Sequence, residues 1–181
     1  MGIWIAVLLT FIIVGIILIG YVYVYNSFQT YIIRINEAEA FIDTTLRKRF
    51  DLLNKSIGII KAYTKPKEDV LGIIVKLRSK KLTNFELDRQ LYEAINEFHQ
   101  YKENIDELKN NESFLKIDLS LFESESEIVA ARKYYNDIIT DYNKMIRTFP
   151  SNIVAKTCKY KEKFYFDGKD MNDDIINDFK L

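Results

Sequence analysis

The sequence predicts an all-α protein in which an N-terminal transmembrane helix continues into an antiparallel, up-down helical bundle. Two features predict it: a stretch without charged side chains at residues 3–25, and apolar side chains that recur every seventh position over much of the remainder. Only six Gly and two Pro occur in 181 residues, so few positions favour a break in a helix. We expect three long helices, or four if the middle one is divided, and a short C-terminal helix.

The apolar stretch at residues 3–25 is long enough to cross a bilayer once. About 22 residues that rise about 1.5 Å each match a hydrocarbon thickness of about 30 Å. A cleaved secretory signal is the alternative, but no Lys or Arg precedes the stretch, which ends in Tyr21, Tyr23 and Tyr25 rather than in small residues. Tyrosine is typical of the membrane interface. We therefore predict a retained, single-pass anchor at residues 1–25, with the lipid bilayer as its partner through residues 3–25.

Heptad spacing beyond the anchor indicates helices with one buried stripe each, as in a coiled coil. The clearest stripe is held for five heptads in the second half of the chain, and a rougher one in the first half is interrupted by Arg49 and Ser56. Each stripe needs a partner, which a bundle supplies. The stripes consist of Phe114, Ile117, Leu121, Ser124, Ile128, Ala131, Tyr135, Ile138, Tyr142, Met145 and Phe149; of Phe28, Tyr31, Ile35, Ala38, Ile42, Leu52, Ile59 and Tyr63; and of Leu91, Ala94, Phe98, Tyr101, Ile105 and Leu108.

Local capping and helix-breaking signals place the ends of the helices. No such signal separates the anchor from the first helix, so we expect the spanning helix to continue into the bundle. The predicted boundaries are a helix end near Thr64 before Pro66, a capping box at Thr83 and Glu86, a turn at Asn110-Asn111, a stop at Pro150, and a short helix capped by Ser151 or Asn152 that ends near Lys161.

These signals divide the chain into three parts. After the anchor at residues 1–25 we predict a helical bundle at residues 26–166 and an acidic, weakly ordered tail at residues 167–181. If the long helices alternate in direction, the turn at Asn110-Asn111 returns to the lipid. The residues after Pro150 then begin at the far end of the bundle.

Composition excludes several classes of function. Lys and Arg number 26, as do Asp and Glu, whereas a nucleic-acid-binding protein needs a basic surface. The single cysteine, Cys158, cannot form an internal disulfide and is interpreted as an inert thiol. His99, the only histidine, is expected at a solvated or edge position. No phosphate loop, nucleophile elbow or zinc motif occurs, and we predict no cofactor.

Two basic clusters are interpreted as ordinary solvated or packed segments. Arg47-Lys48-Arg49 is expected to form a solvated face that pairs with Asp43 and Asp51, with a partner-binding patch as the alternative. A membrane or RNA patch is the alternative for a second cluster, whose aromatic side chains we expect to pack across the far end of the bundle. This cluster interleaves Lys156, Lys159, Lys161 and Lys163 with Tyr160, Phe164, Tyr165 and Phe166.

Short runs of polar and aromatic residues between the anchor and about Phe166 form a recognisable set. They are Tyr25-Asn26-Ser27, Arg47-Lys48-Arg49-Phe50-Asp51-Leu52, Lys61-Ala62-Tyr63, Asn111-Glu112-Ser113-Phe114-Leu115 and, most specific, Ala131-Arg132-Lys133-Tyr134-Tyr135-Asn136-Asp137 with Asp141-Tyr142-Asn143 and Phe149-Pro150-Ser151-Asn152. Together they resemble the LemA family. The resemblance implies an N-terminally anchored bacterial membrane protein with an antiparallel four-helix bundle. It implies no reaction, because no catalytic role is established for the family.

The specific run contains two acids that could form a site. Asp137 lies four residues before Asp141 on the same side of a helix, where two carboxylates could serve as half of a metal site or as an acid-base pair. Polar packing is favoured, because Arg132, Lys133 and Lys144 can neutralise both acids and no Glu-x-x-His motif is present. We assign no catalytic, cofactor-binding or metal-binding residue. The candidate structural or interaction residues are Arg47, Arg49, Arg132, Tyr134, Tyr135, Asn136, Asp137, Asp141, Tyr142, Asn143 and Pro150.

The favoured function is that of a scaffold or adaptor of the bacterial cell envelope, not of an enzyme. It would act through contacts with other envelope membrane proteins or through homo-oligomerisation. One alternative is a membrane-shaping protein, which the resemblance suggests through a magnetosome-associated relative. Another is a hydrolase or metal enzyme that uses Asp137 and Asp141. Arg34 and the Arg47 cluster follow the span, so the positive-inside rule favours a bundle on the cytoplasmic side of the cytoplasmic (inner) membrane.

Overall fold

The computed structural model describes residues 1–63 and 83–167 and confirms an all-α helical bundle. No strand occurs in those two ranges. The predicted break around Pro66 and all of the predicted tail beyond Asp167 lie outside the described residues. The helices are α1 (Gly2–Tyr63), α2 (Asn84–Asn104), α3 (Asp106–Lys109), α4 (Glu112–Arg147) and α5 (Ser151–Thr157).

These helices belong to two compact units. In the described residues, the first unit contains residues 1–37 and 135–165, and the second contains residues 38–63, 83–134 and 166–167. Both α1 and α4 contribute to each unit, since α1 is one helix of 62 residues and α4 one of 36. The expectation that the apolar stretch continues into the bundle as one helix is confirmed.

In the first unit, most of the apolar stretch of α1 is exposed, and Tyr21 near its C-terminal end lies beside Cys158. Its most apolar window of 18 residues has a mean hydropathy of 3.0, and none of that window is buried. It is the one helix in the described ranges that is long and apolar enough to cross a membrane. Burial begins with Phe28 and continues at Ile35, where α1 meets the other elements of this unit. These side chains follow the predicted heptad positions.

In the second unit, α1 and α4 run antiparallel. Lys48 lies against Glu127, whereas Tyr63 lies against Asn111. Higher residue numbers on α1 therefore lie opposite lower residue numbers on α4. The α2 helix adds its apolar face, and the ring of Phe98 stacks on Phe114 with centroids 4.5 Å apart. Core residues of this unit at predicted seam positions are Ala38, Ile42, Leu91, Ala94, Phe98, Leu108, Phe114, Ile117, Leu121, Ile128 and Ala131.

The seam prediction fails at the ends of helices. Phe149 is 78% exposed, because α4 ends at Arg147 and the helical repeat no longer directs this side chain inward. In the second half of α1, the seam positions Arg49 and Ser56 are buried, whereas Leu53 and Ile60 are buried in place of the predicted Leu52 and Ile59. The buried face here thus includes the positions that follow the predicted ones, because a helix packed among others buries a broader stripe than a two-stranded seam.

The predicted capping box at the start of α2 is confirmed. The Glu86 backbone N–H donates to Thr83 Oγ1 at 3.3 Å, and the Thr83 N–H donates to Glu86 Oε2 at 2.9 Å. The predicted turn before α4 is also present, and the Asn111 side chain accepts a hydrogen bond from the Phe114 N–H at 2.9 Å. These local bonds satisfy backbone donors that a helix start leaves without partners.

The start and end of the short C-terminal helix differ from the prediction. Pro150 occupies the N-cap position of α5 without a side-chain cap, and the helix ends at Thr157 rather than near Lys161. The Ser151 hydroxyl instead donates to the carbonyl oxygen of Met145 at 2.6 Å. A serine that hydrogen-bonds backward to α4 is no longer available to cap the helix that follows it.

The predicted directions of the later helices are wrong. Asn111 Nδ2 donates to the Tyr63 hydroxyl at 3.1 Å, so this turn lies at the C-terminal end of α1 and does not return to the lipid. After α5, the Cys158 sulfur lies 3.5 Å from the Tyr21 hydroxyl, beside the apolar stretch rather than at the far end. The prediction gave the third long helix the same direction as α1, whereas α4 runs opposite to it.

Candidate functional site

Five of the eleven candidate residues fall into two clusters, one in each unit, and Asn143 is the centre of the first. Its side chain is buried, and its amide forms two hydrogen bonds with one backbone residue. Nδ2 donates to the Lys163 carbonyl oxygen at 2.8 Å, and Oδ1 accepts from the Lys163 N–H at 2.9 Å. An asparagine is suited to this role, since its amide has both a donor and an acceptor. Asn143 therefore fixes the segment that follows α5 against α4.

An aromatic group packs the same segment against α1. The Phe28 ring lies 5.9 Å from the Tyr142 ring in an edge-to-face arrangement and 4.9 Å from the Tyr160 ring. Gln29 Nε2 donates to the Tyr160 hydroxyl at 2.6 Å. Burial raises the pKa of Tyr142, so this phenol stays neutral at physiological pH and packs as an apolar group.

Further bonds line the exposed side of this cluster. Arg147 donates to both carboxylate oxygens of Glu162, at 2.8 and 2.6 Å, and these bonds hold the pKa of Glu162 below its usual range. The Tyr135 hydroxyl lies 3.5 Å from the Phe164 carbonyl oxygen. The cluster thus holds residues 160–165 along α4 through several contacts.

The two aspartates of the predicted alternative site do not converge with other ligands. Asp137 and Asp141 are exposed, as are Tyr134 and Pro150, while Asn136 is partly buried. Arg132 pairs with other acids and does not neutralise these two, contrary to our expectation. In residues 1–63 and 83–167 there is no group of three or more His, Cys, Asp or Glu side chains that could hold a metal ion.

The second cluster is an ion network centred on Arg49 of α1. Arg49 is 1% exposed, and its Nη2 lies 2.6 Å from Glu125 Oε2 on α4. Arg132 lies 3.8 Å from the other oxygen of Glu125 and 3.2 Å from Asp88 of α2. Three helices are therefore joined by one chain of charges, which we call the Arg49 network: Arg49, Glu125, Arg132 and Asp88.

Burial in this network disfavours the charged form of the Asp88 carboxylate. It raises the pKa of Asp88, although the positive charges of Arg132 and Arg49 oppose that shift. Nε and Nη1 of Arg49 have no hydrogen-bond partner in the described part of the chain. The Arg132 guanidinium also lies over the Phe166 ring, 5.9 Å from its centroid.

The Arg49 network corrects the predicted solvated face at residues 47–49. Arg47 pairs with Asp43 at 2.7 Å on the surface, as expected, and Lys48 pairs with Glu127. Arg49 is buried instead, because its position on α1 points toward α4, and Glu125 supplies the charge that makes this burial tolerable.

Several members of the two clusters were not predicted as site residues. Glu125 and Asp88 lie far from Arg49 in sequence, and Gln29 and Lys163 carry no motif. One signal was available, since a charge at a seam position, as at Arg49, indicates a buried ion pair with an unknown partner. His99 is half-exposed and lies 3.5 Å from Asp118, in agreement with the predicted edge position.

Comparison with known proteins identifies the family of this chain. The model of the LemA family matches residues 38–177, more than half of the chain. The chain belongs to the LemA family. The matched range includes the Arg49 network and Asn143, whereas Phe28 and Gln29 of the first cluster precede it.

One similar protein is "Protein LemA" of Metamycoplasma hominis. It is 28% identical over 134 residues, which cover 67% of this chain and 59% of that protein. The chain thus matches less than two thirds of the length of this relative. Membership of the LemA family and the N-terminal apolar helix fit a membrane-associated protein.

The paired groups of these two clusters hold helices together. Carboxylates of the Arg49 network are engaged by guanidinium groups, and the amide of Asn143 is engaged by backbone. Groups held in this way position helices. The two acids with free access to solvent, Asp137 and Asp141, have no histidine or cysteine ligand grouped with them among the described residues.

A double-mutant cycle tests the Arg49 network. Glu125→Leu leaves a buried guanidinium without its charge partner and should lower the free energy of unfolding by about 2 to 3 kcal/mol. Arg49→Met combined with Glu125→Leu should lose less than Glu125→Leu alone, because no unpaired charge remains. Urea unfolding of the full chain in detergent, followed by circular dichroism, measures both.

Arg47→Met is the matched control for this cycle, since Arg47 forms an exposed pair on the same helix. It should change the unfolding midpoint little. A double variant as unstable as the sum of its two single variants would contradict the network.

Asn143→Leu tests the attachment of residues 160–165. Loss of both backbone bonds should release the segment and increase the rate of trypsin cleavage after Lys159 or Lys161 about tenfold, as followed by mass spectrometry. Asp141→Asn is the control, because this neighbouring side chain is exposed, and its cleavage rate should match that of the wild type. Equal rates for Asn143→Leu and the wild type would show that other contacts hold the segment.

Proposed function

We propose that this protein is a membrane-anchored helical scaffold whose bundle acts through protein–protein contacts, first of all with a second copy of itself. A second apolar stripe on α4 carries the proposal. Phe122 is 73% exposed and Leu119 58% exposed, and Leu115 and Val129 lie exposed on the same face. These four residues, Leu115, Leu119, Phe122 and Val129, form what we call the outer stripe.

The spacing of the outer stripe favours a helical partner. Steps of four, three and seven residues place the four side chains along one side of α4. The inner seam of the same helix, with Phe114, Leu121 and Ile128, is buried in the bundle. A helix with one apolar stripe in the core and another in solvent is suited to packing on a further helix.

A second copy of the chain is the occupant that the anchor favours. Copies inserted in one membrane share an orientation and a high local concentration, so identical faces can meet about a twofold axis. Burial of the outer stripe then favours association of the two copies, and no further binding motif is required. We propose that the protein contacts other envelope membrane proteins in the same way. The proposal assigns no reaction to the protein.

We propose that residues 3–25 span the cytoplasmic membrane of a bacterium and that the bundle faces the cytoplasm. The hydropathy and complete exposure of this part of α1 support the span. Basic side chains after the span support the orientation: Arg34 follows it in sequence, and α5 brings Lys156 and Lys159 near Tyr21 through the contact of Cys158.

Replacement of a central stripe residue tests self-association. Phe122→Glu puts a charge in the proposed contact and should convert an oligomer in mild detergent to a monomer, as measured by size-exclusion chromatography with light scattering. Tyr92→Glu, which changes an exposed aromatic residue of α2, should leave the oligomer intact. A wild-type protein that is monomeric at every concentration would refute the proposal.

A cysteine on the exposed surface of α1 tests the orientation. Cys158 is partly buried beside Tyr21 and is a poor reporter, so Asn54→Cys in a Cys158→Ser background is preferable. A membrane-impermeant maleimide should label it only after the cells are opened, because the bundle is then on the inner side. Labelling in intact cells or spheroplasts would place the bundle outside.

A further inference from the structure

The end of the apolar stretch is covered on one side by residues that lie far away in sequence. The Cys158 sulfur is 3.5 Å from the Tyr21 hydroxyl, and the Tyr160 hydroxyl accepts a hydrogen bond from Gln29. All four residues belong to the first unit. The segment that follows α5 therefore runs beside α1 from the level of Tyr21 to that of Gln29, about 12 Å by helical rise.

This position corresponds to the headgroup region if the stretch spans the bilayer. About 20 residues from Ile3 onward fill the hydrocarbon, which brings Tyr21 to its boundary. Cys158 then lies at the boundary, and Tyr160 lies beyond it among the headgroups. Charges on this segment fall within about one Debye length, roughly 8 Å, of the lipid phosphates.

The segment is basic where it faces solvent. Lys156, Lys159 and Lys161 are exposed, and none of them pairs with a carboxylate in the described ranges. The acid next to them, Glu162, is held by Arg147 through two hydrogen bonds. Within residues 1–63 and 83–167, these three positive charges therefore have no carboxylate partner.

Exposed apolar side chains accompany these charges. Phe149 is 78% exposed, and Ile153 on α5 is also exposed. Aromatic and aliphatic side chains between lysines are typical of surfaces that insert shallowly into the interface of an anionic membrane. The lysines and the exposed apolar side chains thus both favour an anionic membrane as the partner.

We propose that Phe149, Ile153, Lys156, Lys159 and Lys161 form a second contact with the bilayer that binds anionic lipid headgroups. We call it the juxtamembrane surface. It rests on the anchoring proposed above and assigns to lipid the basic and aromatic segment that we first expected at the far end of the bundle. Each lysine near an anionic leaflet strengthens such a contact about fivefold, so three of them are enough for a stable interaction.

Fluorescence quenching in vesicles tests the juxtamembrane surface. The full chain carries Cys158→Ser and a bimane label at Thr157→Cys, an exposed position on α5. It is reconstituted in phosphatidylcholine vesicles, with or without phosphatidylglycerol, that contain a nitroxide on the lipid headgroup. Quenching should be several-fold stronger with phosphatidylglycerol and should fall when salt is raised.

Two triple variants identify the responsible charges. Lys156→Gln, Lys159→Gln and Lys161→Gln together should abolish the dependence on phosphatidylglycerol. The matched control removes the same number of exposed charges elsewhere, in the second unit, and should retain that dependence: Lys55→Gln, Lys61→Gln and Lys133→Gln.

The outcomes separate this inference from the proposed anchoring. If the protein floats with the vesicles, two results would overturn the proposed juxtamembrane surface. One is equal quenching in neutral and anionic vesicles, and the other is an equal loss of the phosphatidylglycerol dependence in both triple variants. Protein that fails to float with vesicles of either composition would refute the anchor itself.

Discussion

Burial of the inner seam of α4 is the interaction on which the described structure depends. In the second unit, Phe114, Leu121 and Ile128 are buried, and the Phe114 ring stacks on Phe98 of α2. In the first unit, Ile138 and Tyr142 are buried, and the Tyr142 ring lies beside Phe28 of α1. Burying each large apolar side chain contributes roughly 1.5 to 3 kcal/mol before entropy is counted. Among the described helices, α1 and α4 each contribute a buried apolar stripe to both units.

Polar groups then select one arrangement among those that would bury the same apolar surface. Arg49 can enter the core only where Glu125 meets it, and Asn143 can be buried only where backbone satisfies its amide. A displacement of α1 along α4 by one turn, about 5.4 Å, would leave Arg49 and Glu125 unpaired. The buried ion pair contributes less to net stability than to this choice of register.

The outer stripe and the juxtamembrane surface suggest a protein that functions through its exterior. Both consist of exposed side chains that are apolar or are lysines without a carboxylate partner among the residues that the structure describes. Family membership is compatible with this interpretation and leaves the partner open. The two proposals fit one protein, because a helix-mediated contact between copies and a lipid contact near the anchor use different residues.

The sequence by itself determined the features that depend on neighbours along the chain. The uncharged stretch, the heptad seams and the capping box at Thr83 are set by spacings of a few residues, so the helices and most of their buried faces could be predicted. Resemblance in short runs was also enough to identify the family.

Tertiary structure alone decided which ends of the helices meet and which charges are buried. Tyr63 against Asn111, and Cys158 against Tyr21, depend on the direction of α4, which heptad spacing leaves undetermined because a seam reads the same in either direction. Arg49 is likewise a surface residue or a core residue according to whether a distant carboxylate lies opposite it. Pairings between residues remote in sequence follow from packing the whole chain, and no local pattern encodes them.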